Sequence, residues 1–442
     1  MPSRILLVLL AAVTGGTGAV RGQQLMATDR ARMVATLWSD ARYNYAYWDR
    51  VAADWDSALD VNLSLAAQRQ SDVVFWRRLE TFAALLNDGQ AAVVPPPAVR
   101  SRTARPPLRI RAVEGRPFVA DYAENDELRI AHPDRGLEII SVQGLPAAAW
   151  IRDSILPEVP GTNAATRWER AVAAMLVGDR GTPVQLELRD HRGAGRGASL
   201  TRSVSASDRS PFELRPLDVD SLPGGIYVVR LNSCADPTVV ARFDRAFPRF
   251  TGVRGLILDL RENDGAGGGR ESGYRILARL MSRPFLTSRW RTPQYRPAYR
   301  GADMPDSAGA WFSAPPDTIA PREDLPAFDG PVALLSSART AGAGADLLVA
   351  FRNAQRGPIV GEPSAGGTGQ VLTLPLSRGW AFRVTVTRDA FPDGSEFAAT
   401  GIAPEMAVTE TVGDFQAGRD GVLERAVAFV RDRTGAPPPA HP

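Results

Sequence analysis

The chain has 442 residues, of which 44% are hydrophobic and 23% charged, and a formal net charge of +3. All 52 basic residues are arginine, which excludes a catalytic lysine, a Schiff base and a lysine-dependent phosphate loop. Three histidines (His132, His191, His441) and one cysteine, Cys234, are too few for a Cys/His zinc site or an internal disulfide, and the near-neutral balance gives no electrostatic case for nucleic acid.

Residues 1–22 read as a secretory signal peptide: Arg4 in a positive start, the short apolar run ILLVLLAAV, and a small-residue exit TGAVRG. The run is shorter than the roughly 20 residues that a membrane-crossing helix needs, and no cysteine follows for lipid attachment. The expected product is therefore secreted or periplasmic, with no stable membrane anchor. Loss of Arg4 and Arg21 takes the net charge from +3 to +1.

Residues 25–93 place apolar and aromatic side chains at three- and four-residue steps, through MVATLWSDARYNYAYW and DVVFWRRLETFAALL, with no glycine before Gly89. That spacing predicts a helical domain whose Trp and Tyr residues pack in its core. PPPAVRSRTARPP (95–107) reads as a linker that breaks regular structure. Residues 108–206 alternate strand-like runs (LRIRAV, FVADYA, LEIISVQG, VQLELRDHRG) with turns around one helical stretch, ATRWERAVAAML, and predict a small mixed domain.

From 207 to 435 the pattern changes again. GGIYVVRLN, GLILDL and VALLSS are strand runs, each followed by a helical stretch: TVVARFDRAF, RESGYRILARLM and DLLVAFRN. Such alternation implies a mostly parallel sheet in an α/β domain. QVLTLPL and AFRVTVTRD predict an antiparallel pair, and residues 436–442 (APPPAHP) a disordered tail.

One stretch, VALLSSARTAGAGADLLVAFR (332–352), runs from an apolar strand through a small-residue turn into an apolar helix. This is how many hydrolases present a nucleophile, because the helix start supplies backbone N–H groups and a positive dipole end for an oxyanion. At the bend the chain reads Thr340-Ala341-Gly342-Ala343-Gly344-Ala345, with no reactive group at its centre. Gly265-Ala266-Gly267-Gly268-Gly269 lacks the dinucleotide spacing, and Gly342-Ala343-Gly344 has Leu347 where a third glycine belongs. Both suit close backbone approach better than phosphate binding.

LILDLRENDG (256–265), LEIISVQGLPA (137–147), GPIVGEPSAGGTGQ (357–370) and RDAFPDGSEFAATGIAPE (388–405) together resemble the tail-specific and tricorn-type (C-terminal processing) serine peptidases. The resemblance implies an α/β multidomain chain. Its parts would be the N-terminal helical domain (25–93), a PDZ-like domain (108–206) and a core of the crotonase/Clp-protease type (207–435).

It further implies that the nucleophilic serine position is held by Gly342. The histidine base of the tricorn-type branch falls on Gln90, within Asn87-Asp88-Gly89-Gln90-Ala91. The lysine base of the tail-specific branch falls on Gly367. The acid three residues after the nucleophile falls on Ala345, beside Asp346. Glu396 stands where the tricorn-type acid belongs, and Gly265 and Ala343 border the oxyanion region, in which Asn263 and Asp264 also lie.

Acyl transfer by a hydroxyl needs an adjacent base. Glycine has no nucleophile, glutamine takes no proton near neutrality, and loss of triad members costs on the order of 10⁴–10⁶ in turnover. The first expectation is therefore a catalytically degenerate family member that binds peptides or unfolded protein segments in the family cleft by strand addition, with no metal or cofactor. The alternative is an active serine-type endopeptidase with a relocated nucleophile, Thr340 before Ser336, Ser337, Ser364 or Ser395, and His132 brought close by folding. A third reading is a scaffold whose cleft is filled by side chains.

Overall fold

In the computed structural model the described residues are 24–434, except 124–134, 207–211, 213, 297, 299–301, 303–310, 323, 325 and 326. The signal-like residues 1–22, His132, His441 and the tail 436–442 lie outside them.

Leu256, Ile257 and Leu258 are consecutive and wholly buried, so their strand needs apolar cover on both faces. It sits inside a six-stranded sheet ordered Leu217–Leu222, Ile226–Leu231, Gly255–Asp259, Val332–Ser336, Ile359–Gly361, Met406–Ala407. The first pair is antiparallel and the other neighbours are parallel.

Helices Thr238–Ala246, Arg270–Ala278 and Ala343–Asn353 cover one face through Phe243, Leu277 and Phe351, which pack with Leu256 and Leu258. Helix Gly421–Thr434 covers the other through Val422, Ala426 and Val430, which pack with Ile257 and Ala333. Parallel register sets Asp259 beside Leu335, so the loop after one strand and the turn after the other leave the same edge of the sheet side by side. In open α/β sheets that edge is where ligands bind.

Helices Ala27–Asn44, Trp55–Ala67 and Asp72–Ala84 form the N-terminal part. Asp54 and Ser71 cap the last two by accepting from the N–H groups of Ser57 and Val74. Most aromatic residues of this segment pack in or against its core, where Trp55 stacks on Phe82 at 4.6 Å between ring centroids, whereas Tyr43 is exposed. That core is shared with the late antiparallel hairpin Val371–Ser377 and Trp380–Thr385, which contributes Trp380 and Phe382. Ala92–Val94 pairs directly with the second hairpin strand.

Between these parts lies an antiparallel sheet of strands Leu108–Val113, Arg116–Tyr122, Glu138–Val142, Pro183–Arg189 and Gly195–Thr201, packed against helix Ala164–Ala174. Alternation is clean in Pro183–Arg189, where Val184, Leu186 and Leu188 are buried and their neighbours exposed. The expectation for 95–107 needs correction. Pro97–Arg100 forms one helical turn, and Thr103–Arg105 is a strand pairing with Gly178–Asp179 and Val204–Ser205. Proline opens a helix without loss, since its missing N–H would be unpaired there anyway, and burial of Thr103 and Ala104 holds the rest. No helix among the described residues is long and apolar enough to cross a membrane.

Arg339, in the turn after Val332–Ser336, ties the middle sheet to the core. Its guanidinium bonds Glu169 at 3.2 Å and Glu262 at 3.0 Å. Glu262 also pairs with Arg109, and Arg111 pairs with Glu410 at 2.7 Å. Loss of the guanidinium leaves the buried Glu169 carboxylate without this partner, so Arg339→Ala is expected to cost about 1–3 kcal/mol. Chemical unfolding of the variant checks this, and an unchanged midpoint would show that the network adds nothing.

Candidate active site

The helix Ala343–Asn353 starts from Gly342, whose φ of 47° and ψ of −123° strain any residue with a side chain. A Cβ at Gly342 would lie 3.0 Å from the Cα of Gly265. Gly265, at φ 70°, is tighter still, since a Cβ there would meet the Ala341 oxygen at 2.5 Å. Two backbones thus pass at contact distance. The contact is closed by hydrogen bonds from Ala341 N–H to Asn263 O (3.0 Å), Gly342 N–H to Gly367 O (2.8 Å) and Ala365 N–H to Thr340 O (2.9 Å). Asn263 is wholly buried and donates through Nδ2 to Leu231 O at 3.0 Å.

Beside this contact opens a cleft of about 740 Å³ whose walls include Gln90, Gly265, Gly342, Ala343 and Asp346. Gln90 and Gly342, far apart in sequence, therefore meet in one cleft. Gln90 Nε2 donates to Thr368 O at 2.8 Å and to Thr385 Oγ1 at 3.2 Å. Its backbone N–H donates to Asp88 at 2.9 Å, and Asp88 also accepts from the Thr385 N–H and hydroxyl. Burial pushes the Asp88 carboxyl upward in spite of those donors. The carboxamide of Gln90 is thus committed as a donor to the neighbouring loop and strand, and it offers no base.

Glu396 is placed differently from the expectation. Arg50 and Arg291 each hold it at 2.7 Å, with Arg388 at 3.8 Å, and it does not line the cleft. A carboxylate within three guanidiniums is a structural charge cluster rather than an orienting partner for residue 90. Gly367 lines an adjoining cavity of about 260 Å³ together with Tyr47, Arg50, Asp88 and Thr368.

Thr340 also needs correction. It is fully buried, its hydroxyl donates to Leu260 O at 2.9 Å and accepts from Ser337 N–H at 3.1 Å, and it does not line the cleft. Ser336 and Ser337 donate to Glu362 O (2.6 Å) and Arg261 O (2.7 Å). Ser364 accepts from Ile402 N–H at 3.0 Å, and Ser395 donates to Asp393 at 2.7 Å. These hydroxyls serve local backbone and turns. Cys234 is buried, and burial pushes its thiol up to about 11, so it stays protonated.

Sequence reasoning noted Asp346 only as a neighbour of an expected acid and passed over Asp389. Both are buried, and each has one carboxyl oxygen with no hydrogen-bond partner. Burial raises both above the usual carboxylate range; the charge of Asp389 adds to the effect on Asp346, and Arg270 opposes it at both. Neither residue carries a spacing signal, because one stands on a helix and the other on the short strand Arg388–Ala390.

The model of peptidase family S41 matches residues 225–408. Among curated sequences, a protein named as a tricorn protease homolog 2, from Streptomyces coelicolor, is 29% identical over 124 residues, 26% of this chain and only a tenth of that protein's length. Among solved structures, mature CPAF complexed with lactacystin superposes with a TM-score of 0.71 at 14% identity, over 92% of this chain and 98% of its own. A peptidase from Parabacteroides merdae gives 0.54 at 17% over 91% and 96%. The photosystem II D1 C-terminal processing protease gives 0.50 at 18% over 86% and 93%. At these identities the structural likeness speaks for the fold.

Two outcomes follow from the geometry. Gly342→Ala should cost about 1–3 kcal/mol through its positive φ and the Gly265 contact, read from the unfolding midpoint; no loss would mean that the turn relaxes freely. A carboxyl whose folded pKa is raised contributes stability that is complete below its unfolded pKa and fades as pH rises through the folded value. Wild-type stability should therefore fall as pH rises from about 4 towards neutrality, and Asp346→Asn should flatten that slope.

Proposed function

The chain belongs to peptidase family S41, and from that premise we propose that it is a catalytically degenerate member that holds extended peptide segments in its cleft without cutting them. The observation that carries this reading is the meeting of Gln90 and Gly342 in one cleft, with no hydroxyl at position 342 and no base at position 90. Acyl transfer needs both. Binding does not: Gly342, Gly344 and Ala345 spend their N–H groups on backbone oxygens, but Ala343, at the helix start on the cleft wall, offers its N–H to a carbonyl or carboxylate oxygen.

The cleft also offers a strand edge. Val371–Ser377 ends its three-stranded sheet, with only Trp380–Thr385 beside it among the described strands. Val371 and Thr373 of that edge line the cleft, with Gln370 just before them. An unpaired edge next to a groove supports strand addition by a peptide or unfolded protein segment, in which backbone bonds give affinity and alternate side chains give selectivity. On the leader-like residues 1–22 we also assign the protein to the periplasm or the exterior; the exported form is then expected to begin close to residue 23, which N-terminal sequencing reads.

The mature protein and a Gly342→Ser/Gln90→His variant, each checked for folding, are incubated with unstructured peptides and followed by mass spectrometry. The wild type is expected to leave every peptide intact and the variant to cleave weakly. Cleavage by the wild type would overturn the degenerate reading. Peptides N-methylated at alternate backbone nitrogens are expected to bind at least about tenfold more weakly than their parents, and equal binding would rule out strand addition.

A further inference from the structure

The hairpin that supplies the strand edge has two unlike faces. In Val371–Ser377 the side chains of Val371 and Thr373 line the cleft, whereas Leu374 packs against the core of the N-terminal helices. Trp380–Thr385 repeats the division, with Phe382 and Val384 in that core and Arg383 in the cleft lining. Register sets Arg383 directly opposite Thr373, so the two stand side by side on the cleft face.

Three charged side chains line the cleft, Arg270, Arg383 and Asp346. Arg270 opens the helix Arg270–Ala278 and offsets the charge of Asp346, which burial also biases towards its neutral form. Arg383 is exposed, and among the described residues its guanidinium has no hydrogen bond and no ion pair. The cleft therefore carries an excess of positive charge, and that excess sits on the hairpin next to the free edge. A guanidinium with all its donors open matches a carboxylate, which has acceptors only and one negative charge.

We propose that the peptide held on this edge carries an acidic residue opposite Thr373, and that Arg383 receives its carboxylate. The proposal rests on the strand-addition reading and names its specificity. A strand added beyond Val371–Ser377 lies two strand spacings, about 9.5 Å, from Trp380–Thr385. Thr373, between them, is short, so the long side chains of Arg383 and a peptide glutamate meet above it.

The residues on either side of that acid point to the opposite face. There Leu372 is 38% exposed, next to the partly buried Leu374. Apolar side chains at those two positions cover Leu372 and gain from its removal from water. The preferred segment thus reads apolar, acidic, apolar.

The experiment is isothermal calorimetry of the mature protein near neutrality and at low salt. Three peptides, acetylated and amidated so that no terminal carboxylate competes, differ only at a central residue between two leucines: glutamate, glutamine or lysine. The glutamate peptide is expected to bind about fivefold or more tightly than the glutamine peptide, with lysine weakest. The difference should shrink towards none in about 0.5 M salt. Arg383→Glu should reverse the order and favour the lysine peptide, a result that mere loss of structure would not produce. Equal binding of the glutamate and glutamine peptides by the wild type, or a glutamate preference that survives Arg383→Glu, would overturn the proposal and leave strand addition standing. Binding of none of the three would overturn both.

Discussion

Everything about this cleft depends on one approach of backbone to backbone, Gly265 against Ala341 and Gly342. A Cβ on either glycine would press on the other chain at 3.0 Å or less, so the two loops sit closer than side chains permit. Parallel register brings them there by ending Gly255–Asp259 and Val332–Ser336 on the same edge of the sheet. Asn263 then locks one loop to the other through its carbonyl and to the sheet through its side chain. The helix start at Ala343, the cleft wall and the position of Asp346 all follow from that contact. The strain of that turn falls on a residue with no side chain, Gly342 at φ 47°.

Much of this was legible in the sequence because its physics is local. Continuous apolar runs such as GLILDL read as buried strands, and the central sheet has the predicted parallel pairing. The late runs form the antiparallel pair expected of them. The convergence of Gln90 with Gly342 was implied by family resemblance, and both line one cleft.

What escaped was set by tertiary contact. Whether the Thr340 hydroxyl turns to the cleft or to Leu260 O cannot be read from its neighbours in the chain. Glu396 stands where the tricorn-type acid belongs, but Arg50 and Arg291, distant in sequence, hold it together with Arg388. The proline-rich stretch at 95–107 takes up order because two partner strands from elsewhere bury it. Asp346 and Asp389 left no periodic trace, since one stands on a helix and the other on a short strand.

Arginine does the ionic work alone. Arg261 bridges Asp259 and Asp420 at 2.8 and 2.7 Å, and Arg279 does the same for Asp244 and Asp324 at 3.0 Å each. The planar fork of guanidinium suits such two-carboxylate bridges and keeps its charge when buried, whereas an ammonium loses its proton more readily. Around the cleft this means that pH acts through carboxyls.

The shared core of the N-terminal helices and the late hairpin has a consequence for how the molecule comes into being. Trp55, Phe75 and Phe82 are buried against Trp380 and Phe382, some three hundred residues further along the chain. A ribosome delivers those partners last, so the helices emerge with their apolar stripe uncovered and wait through nearly the whole of synthesis. Contacts of such long sequence separation form slowly, because loop closure precedes any gain from packing. The arrangement leaves that apolar stripe uncovered until the final quarter of the chain appears, a state exposed to aggregation if no chaperone shields it.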